Sequence, residues 1–333
     1  MSEAQVTRAG LEGVKPPREA RMWSGGQGAS RQNGRRDHPG SSYYGQPVIN
    51  PPVWEELDIA GYLFLGGLAG ASSLLAAGGE LTGRRTLARR SKLCASGAIA
   101  TSLVALVHDL GRPARFINMM RVLKPTSPMS VGTWILAAYS PLNFAGTAAE
   151  LTGIARPLGR AATVGAGALG PAVASYTAAL VANTAVPAWH GGYPEMPFVF
   201  VGSAAGAGAG FAMLAAPLSE SAPARRLAVL GAAGELVAEK LMERRLGMVA
   251  ETLHTGTAGT RLTAAQLLTA AGALGAATVA RRSRVAAALS GGALLAGSAL
   301  TRFGIFAAGM ASARDPKYTV APQRARLVEP PKR

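Results

Sequence analysis

Ionisable and phenolic side chains interrupt several long apolar stretches of this 333-residue sequence. Glu235 and Glu239 lie four residues apart, so a helix would place both carboxyl groups on one face. Tyr176 and Arg302 each stand among small and apolar neighbours. Because an ionised side chain inside a bilayer costs about 2.5–3.5 kcal/mol on insertion scales, such residues are candidates for function. A low dielectric lets at most one of the two glutamates ionise freely, which favours a proton-handling pair.

Position along each stretch can be converted into depth in the bilayer. Counted at about 1.5 Å per residue, five groups on different stretches share the half of the bilayer nearest one face. They are Tyr62, His108, Tyr176, Glu239 and Arg302. A common depth is what a shared polar pocket requires. Beside His108, Asp109 could hold the imidazole in a donor tautomer or take up a proton.

Structural roles remain open for several of these residues. Tyr62 has the character of an aromatic-belt residue at the membrane interface. Asp109 stands at the end of its stretch and could simply face water. Arg302 could satisfy backbone carbonyls or pair with a carboxylate such as Glu239, which would make it a structural contact.

The elements that must position these groups are eight apolar stretches, each long enough to cross a hydrocarbon core of about 30 Å as a helix. They cover residues 57–78, 93–110, 131–153, 164–186, 197–218, 227–246, 263–280 and 285–311. The sequence therefore predicts an all-α, polytopic membrane bundle of about eight helices. The sixth stretch also carries Glu235, Glu239 and Lys240, so a surface helix and seven spans remain an alternative.

Composition separates this chain from soluble enzymes and from proteins that bind nucleic acid. Hydrophobic residues make up 49% and charged residues 16% of it, against about 25% charged in an ordinary soluble domain. The net charge of +16 is concentrated in short Arg clusters between apolar runs, which suits a lipid bilayer better than nucleic acid. The lone Cys94 cannot hold an iron–sulfur cluster, and no two of the four histidines are placed to clamp a haem. We therefore expect neither haem nor metal in this chain.

Three regions follow from the same pattern. Residues 1–53 are rich in Gly, Arg, Ser and Pro, without the apolar run of a signal peptide, and are predicted to be a disordered basic tail. Residues 54–312 are predicted to form the transmembrane bundle, and residues 313–333 an extramembrane C-terminal tail.

Charge in the loops predicts the orientation. The loops at 83–92, 155–160 and 281–284 belong to the side that carries more Lys and Arg, so the positive-inside rule places them in the cytoplasm of a multi-pass cell-membrane protein. An even number of spans then places both termini, and the side nearest the polar groups, outside.

Three sequence blocks go beyond composition: HDLGRPARFINMMR (108–121), KPTSPMSVGTW (124–134) and RFGIFAAGMASARDPKYTV (302–320). Together with LFLGGLAGASSLL (63–75) and SYTAALVANTAVPAW (175–189), and in this order and spacing, they resemble the NrfD/PsrC family. Members of that family are the membrane subunits of polysulfide-reductase-type complexes. The resemblance covers residues from about 54 to 326, essentially everything after the first tail.

The resemblance implies an eight-helix, haem-free subunit that binds a quinone, with menaquinone favoured. Its implied partners are a four-cluster ferredoxin-like iron–sulfur subunit and, beyond it, a molybdopterin catalytic subunit. Electrons would arrive from the partner's cluster, so this chain would need no redox cofactor of its own besides the quinone. Formate dehydrogenase is the favoured activity of the complex, ahead of a sulfur-compound, dimethyl sulfoxide or nitrite-linked reductase.

The family's quinone pocket uses a tyrosine of the fourth span near the docking face. Tyr176 in S-Y-T matches the family's Y-T-G, with Ala178 in place of the glycine. A quinone carbonyl needs a hydrogen-bond donor and a nearby proton source. The residues expected at this site are Tyr176, His108, Asp109, Tyr62 and Arg302.

Two further roles, proton transfer and partner docking, are expected for other residues of this chain. Glu239 and Glu235 could relay protons between the pocket and the cytoplasmic face. The loop 110–130 is expected to dock the iron–sulfur partner through its cations, and binding of lipid phosphates by the same loop is the alternative. Those cations are Arg112, Arg115, Arg121 and Lys124.

Two other function classes stay open. A proton-coupled transporter would need inverted repeats and interrupted helices, and the two halves of this sequence show no repeat. A purely structural anchor would only tether the enzyme, and it would tolerate the loss of Tyr176 and His108.

Overall fold

The computed structural model describes residues 48–109, 118 and 120–328, with side chains up to 324, and two short strands near the N-terminus. Residues 1–45 and 46–333 form two separate units. In the first unit, β1 (Val6–Thr7) pairs antiparallel with β2 (Gly10–Leu11). Most of the tail that the sequence predicts to be disordered lies outside the described residues.

Eight long helices make up the described part of the second unit. They are α1 (Glu56–Leu81), α2 (Arg85–Asp109), α3 (Pro128–Thr152), α4 (Arg156–Ala182), α6 (Met196–Ala215), α7 (Ala222–Leu246), α9 (Gly256–Ala277) and α10 (Arg284–Arg314). Three short helices connect or follow them: α5 (Pro187–Gly191), α8 (Glu251–His254) and α11 (Lys317–Val328). Single 3-10 turns at Gly247–Ala250 and Val279–Arg281 complete the described helical structure.

The predicted all-α membrane bundle is confirmed. Among the described helices, α1, α2, α4, α6 and α10 are long and apolar enough to cross a membrane. The other three long helices, α3, α7 and α9, match the predicted third, sixth and seventh stretches. Their crossing of the membrane, and with it the count of eight spans, stays a prediction.

Local sequence explains where several helices begin and end. Ser127 accepts a hydrogen bond from the Ser130 amide and caps α3, whose first residue is Pro128. Gly153 ends α3 with a positive φ of 74°, a conformation that glycine adopts without steric cost. At α2 the helix begins at Arg85, eight residues before the predicted apolar stretch. Its first two turns are therefore the basic segment that hydropathy alone had assigned to a loop.

Small residues let the long helices approach closely. A Cβ added to Gly202 of α6 would lie 2.6 Å from the Glu235 nitrogen and 2.7 Å from the Gly231 oxygen, both on the backbone of α7. Gly70 of α1 and Gly170 of α4 contact each other through their backbones in the same way. Close packing of this kind is typical of helices in lipid, where small residues replace the hydrophobic effect as the basis of association.

Ion pairs join neighbouring helices at one end of the bundle, here called end A, where α1 begins. The pairs are Glu56–Arg261, Asp58–His108 (2.7 Å), Glu195–Arg245 (2.6 Å) and Glu251–Lys317 (2.6 Å). The hydrogen bond from Lys317 lowers the pKa of the Glu251 carboxyl. These contacts bring together the start of α1, α6 and α9 and the end of α2, α7 and α10. Helices α1, α6 and α9 therefore run in the direction opposite to α2, α7 and α10.

The opposite end, end B, is held by a second set of polar contacts. Lys92 is buried and binds Glu80 as well as Glu150, the latter at 2.8 Å. Arg284 donates to the carbonyls of Met213 (2.6 Å) and Ala216 (2.8 Å) at the end of α6. Most of the loops that the sequence predicts to be cytoplasmic lie at this end.

Candidate functional site

Two tyrosines from different helices meet in the core near end A. Tyr62 of α1 and Tyr176 of α4 are 2% and 8% exposed, and their hydroxyl groups are hydrogen-bonded to each other. Each lies six residues from the end-A terminus of its helix, which is about 9 Å at 1.5 Å per residue. The Tyr176 ring packs directly against Gly132 of α3, where a Cβ would collide with it. In such a pair one hydroxyl donates, and the other keeps its proton for a further acceptor.

His108 lies at the surface of end A, one helical turn beyond this pair. Its Nδ1 is 2.7 Å from Oδ2 of Asp58, and its side chain is 72% exposed. Asp58 precedes Tyr62 by four residues, so both project from the same face of α1. The sequence predicts that Asp109 orients His108, but the imidazole contacts Asp58 instead. The reason is that the start of α1 lies beside the end of α2.

A second polar cluster is buried between α6, α7 and α10. Arg302 is fully buried, donates from Nη2 to the Phe200 carbonyl at 2.7 Å and lies 3.9 Å over the Phe200 ring. Glu235 is 1% exposed, and its Oε1 accepts a hydrogen bond from Thr301 at 2.8 Å. Within the described chain, Arg302 Nε, Arg302 Nη1 and Glu235 Oε2 have no hydrogen-bond partner. The cluster therefore has unused donors and an unused acceptor.

Arg302 was expected to satisfy carbonyls or to pair with Glu239. Of these two, the structure shows the carbonyl contact with Phe200. No described carboxylate lies within 4.0 Å of the Arg302 guanidinium, so the structure shows no ion pair with Glu239. The arginine is thus held by a backbone oxygen and an aromatic face.

Glu239 lies one turn closer to end A and borders a small cavity. Its Oε2 accepts a hydrogen bond from Gln266 Nε2 at 3.2 Å. The cavity has a volume of about 20 Å³ and is also lined by Glu243 and His254, which is enough room for one water molecule. Beyond it, His254 Nε2 lies 3.6 Å from Glu243 Oε1, and the His254 side chain is exposed at end A. The sequence predicts a proton relay towards the cytoplasmic face, whereas the cavity leads from Glu239 towards end A.

A third buried hydrogen-bond network, which was not predicted from the sequence, lies on the side of α3 that faces α1 and α2. The Tyr139 hydroxyl is 2.6 Å from the Ser73 hydroxyl, and Asn143 Nδ2 donates to Ser73 at 2.8 Å. Thr147 lies on the same face of α3, closer to end B, and donates a hydrogen bond to the Lys92 carbonyl. Tyr139, Asn143 and Thr147 recur every four residues within an apolar stretch, and this spacing was the available signal.

The remaining predicted groups lie on the surface or outside the described residues. Arg121 is exposed in the segment before α3, as is Lys124, whose backbone nitrogen is bonded to Ser130 Oγ at 2.9 Å. Arg112 and Arg115 lie outside the described residues. In the part of the chain that the structure describes, no group of three or more His, Cys, Asp or Glu residues could hold a metal ion.

The family profile described as Polysulphide reductase, NrfD matches residues 46–312, from just before α1 to near the end of α10. The chain belongs to the NrfD family. NrfD proteins are membrane subunits of molybdopterin oxidoreductases, with molybdopterin and iron–sulfur subunits as partners, and they interact with quinones. No curated protein matches the chain.

Two of the blocks that suggested NrfD have identifiable structural roles in the described part of the chain. S-P-M-S provides the cap of α3, and Ser130 Oγ also donates to the Val122 carbonyl at 2.9 Å. In the last block, Gly309 lies against the Trp189 indole, whose Nε1 donates to the Ile305 carbonyl at 2.8 Å. Any side chain at Gly309 would displace that indole, which explains the glycine. Multi-pass insertion in a membrane follows from the family and from the apolar helices.

Proposed function

We propose that this NrfD subunit exchanges electrons between a partner iron–sulfur subunit and a membrane quinone whose headgroup binds near Tyr62 and Tyr176. Menaquinone is the favoured quinone. The observation that carries the proposal is the buried hydroxyl pair, because phenolic donors in an apolar core suit a carbonyl oxygen that gains negative charge. His108, Asp109 and Arg302 complete the proposed site.

The two hydroxyl groups supply the hydrogen-bond donor that a quinone carbonyl needs. A bound quinone supplies two-electron chemistry coupled to the uptake or release of protons. Of the two tyrosines, the one that accepts the shared hydrogen bond keeps its own proton to donate to a carbonyl oxygen. Asp58 and His108 lie one turn further out and could exchange protons with water at end A. Burial of the pair limits access of bulk water to the reacting atoms.

Proton transfer is assigned to Glu239 and Glu235. Both are buried, both belong to one face of α7, and only Glu239 borders the cavity next to Glu243. The favoured proton path runs from Glu239 through a water molecule to Glu243 and His254 at end A. Glu235 forms the inner end of this route beside Thr301.

We place the four-cluster ferredoxin-like subunit at end A, with the molybdopterin subunit beyond it. The tyrosine pair is nearest to that end, so electrons would travel the shortest distance there. The cations of the loop 110–130 would contact the partner. End B would be cytoplasmic and end A external, with both termini at end A, in the cell membrane. Formate dehydrogenase is the favoured activity of the complex.

Conservative replacement of the tyrosines tests the site. In the assembled complex, Tyr176→Phe and Tyr62→Phe are expected to slow quinone-linked turnover about tenfold, since each loses one hydrogen-bond donor. Dye-linked activity of the catalytic subunit should be unchanged. Tyr139→Phe is the matched control, because it also removes a buried hydroxyl but lies deeper in the bundle. Unchanged quinone kinetics in both test variants would place the site elsewhere and favour a purely structural anchor.

Charge reversal tests the docking surface. Arg121→Glu combined with Lys124→Glu is expected to weaken binding of the iron–sulfur subunit about tenfold, because cations facing an acidic partner become repulsive. Arg281→Glu with Arg282→Glu makes the same charge change at end B and should leave binding intact. The measurement is the amount of partner that copurifies with the subunit at fixed salt. A full complement of partner in the first variant would exclude these cations as the docking surface.

A transporter function makes a different prediction. A proton-coupled transporter would carry a solute without any partner subunit, so proteoliposomes of the isolated chain would acidify or alkalise on solute addition. Under the proposed function, the isolated chain shows no such exchange.

A further inference from the structure

A polar cleft at end B lies away from every group discussed for quinone chemistry. It has a volume of about 780 Å³ and lies between the end of α1, the start of α2, the end of α3 and the start of α4. Four cations and two carboxylates line it, so it carries an excess of two positive charges. These residues are Arg85, Lys92, Arg156, Arg160, Glu80 and Glu150.

Two of the four cations are already committed. Lys92 binds Glu80 and Glu150, and the Arg160 Nε donates to Glu80 Oε2 at 3.1 Å. Arg85 and Arg156 are exposed, and neither has a hydrogen-bond or ion-pair partner within the described chain. The unbalanced charge of the cleft therefore belongs to two free guanidinium groups, which suit bidentate binding of a phosphate.

Different residues line the cleft at the membrane surface and further inside the bundle. Arg85 and Arg156 stand at the helix ends, whereas Gly146 of α3 and Lys92 of α2, with its two glutamates, line the cleft further in. Gly146 lies six residues before the end of α3, about 9 Å inward at 1.5 Å per residue. Because Lys92, Glu80 and Glu150 are already paired, the free cations of the cleft are the arginines at the membrane surface, where the phosphate of a phospholipid lies. The depth of the cleft below them leaves room for the glycerol group of such a lipid. A free phosphate would use only the mouth.

We propose that this cleft binds the phosphodiester headgroup of an anionic phospholipid, with Arg85 and Arg156 as its phosphate ligands. Basic pockets between transmembrane helices are known to take such headgroups. The lipid would join the α1–α2 pair to the α3–α4 pair, because each arginine belongs to a different pair. The proposal does not depend on quinone binding, and its test needs no redox activity.

The test compares lipid affinities of the full-length chain by native mass spectrometry in neutral detergent. Dioleoylphosphatidylglycerol is expected to bind at least tenfold more tightly than dioleoylphosphatidylcholine. Arg85→Gln with Arg156→Gln should weaken phosphatidylglycerol binding about thirtyfold, given the attraction of each cation near a membrane surface. Arg89→Gln with Arg90→Gln removes the same charge from exposed arginines of α2 that do not line the cleft, and should change affinity less than about threefold.

Further measurements distinguish a phospholipid from free phosphate and control for misfolding of the variants. Inorganic phosphate and glycerol 1-phosphate should not displace bound phosphatidylglycerol at equal concentration, and displacement would mean a free-phosphate site and overturn the lipid proposal. Arg85→Lys with Arg156→Lys keeps the charge and should retain most of the affinity, which controls for damage to the fold. An equal loss of lipid affinity in the cleft double variant and in the Arg89/Arg90 control variant would show general attraction to the charged surface. That result would also overturn the lipid proposal.

Discussion

Replacement of Glu239 by glutamine is expected to slow quinone-linked turnover of the assembled complex about a hundredfold, the usual contribution of a positioned proton-transfer group. Glutamine keeps the size of the side chain and can still accept the hydrogen bond from Gln266. It removes only the exchangeable proton next to the cavity that contains Glu243 and His254. Turnover with quinone and with an artificial dye, measured on the same preparation, separates proton transfer from assembly.

The matched control is Glu195→Gln, a carboxyl group at the same end of the bundle. Glu195 pairs with Arg245 at 2.6 Å and does not line that cavity, so quinone-linked turnover should stay within about twofold of wild type, since no proton route passes through it. Glu235→Gln tests the inner end of the route. If Glu239→Gln and Glu235→Gln both turn over quinone at the wild-type rate, these carboxyls do not carry the protons and serve the structure alone.

Replacement of Lys92 by methionine is expected to destabilise the subunit by about 3 kcal/mol. Lys92 is 5% exposed and binds both Glu80 and Glu150. Methionine fills similar space but leaves Glu150 without its cation and Glu80 with Arg160 alone, and stranding a carboxylate costs more than the ion pair itself contributes. Thermal unfolding of the purified subunit in detergent measures the loss.

Two further variants determine whether stranded charge is the cause. Arg90→Met removes an exposed cation of the same helix and should change stability by less than about 0.5 kcal/mol. Lys92→Met combined with Glu80→Gln and Glu150→Gln removes the stranded charge and should recover much of the stability. A triple variant as unstable as Lys92→Met would assign the loss to packing instead.

Hydropathy predicted the helices well because membrane spans are set by length and apolar content. The apolar stretch 93–110 nevertheless starts eight residues after α2 does. Its first turns carry Arg and Lys residues that reach water or, in the case of Lys92, find carboxylates on α1 and α3. Hydropathy scores such cations as loop residues, since it holds no information about partners on other helices.

Depth counting placed Tyr62 and Tyr176 at one level, and the two hydroxyls do meet. The same counting could not assign partners. It put Glu239 and Arg302 in one layer with the tyrosines, yet Arg302 binds the Phe200 carbonyl and Glu239 binds Gln266. Which helix faces which depends on close contacts such as Gly202 against α7, and these arise from the whole packing arrangement.

The cavity next to Glu239 has a consequence for the energetics of turnover. The tyrosine pair lies about 9 Å from end A, and this cavity leads to His254 at that same end. With the iron–sulfur partner also at end A, electrons and protons would enter the bundle through one face and travel inward together. A potential of 100 mV acts on each transferred charge with about 2.3 kcal/mol, but the effects on opposite charges that move in parallel would cancel. Turnover would then be electroneutral, and its rate would be insensitive to the membrane potential.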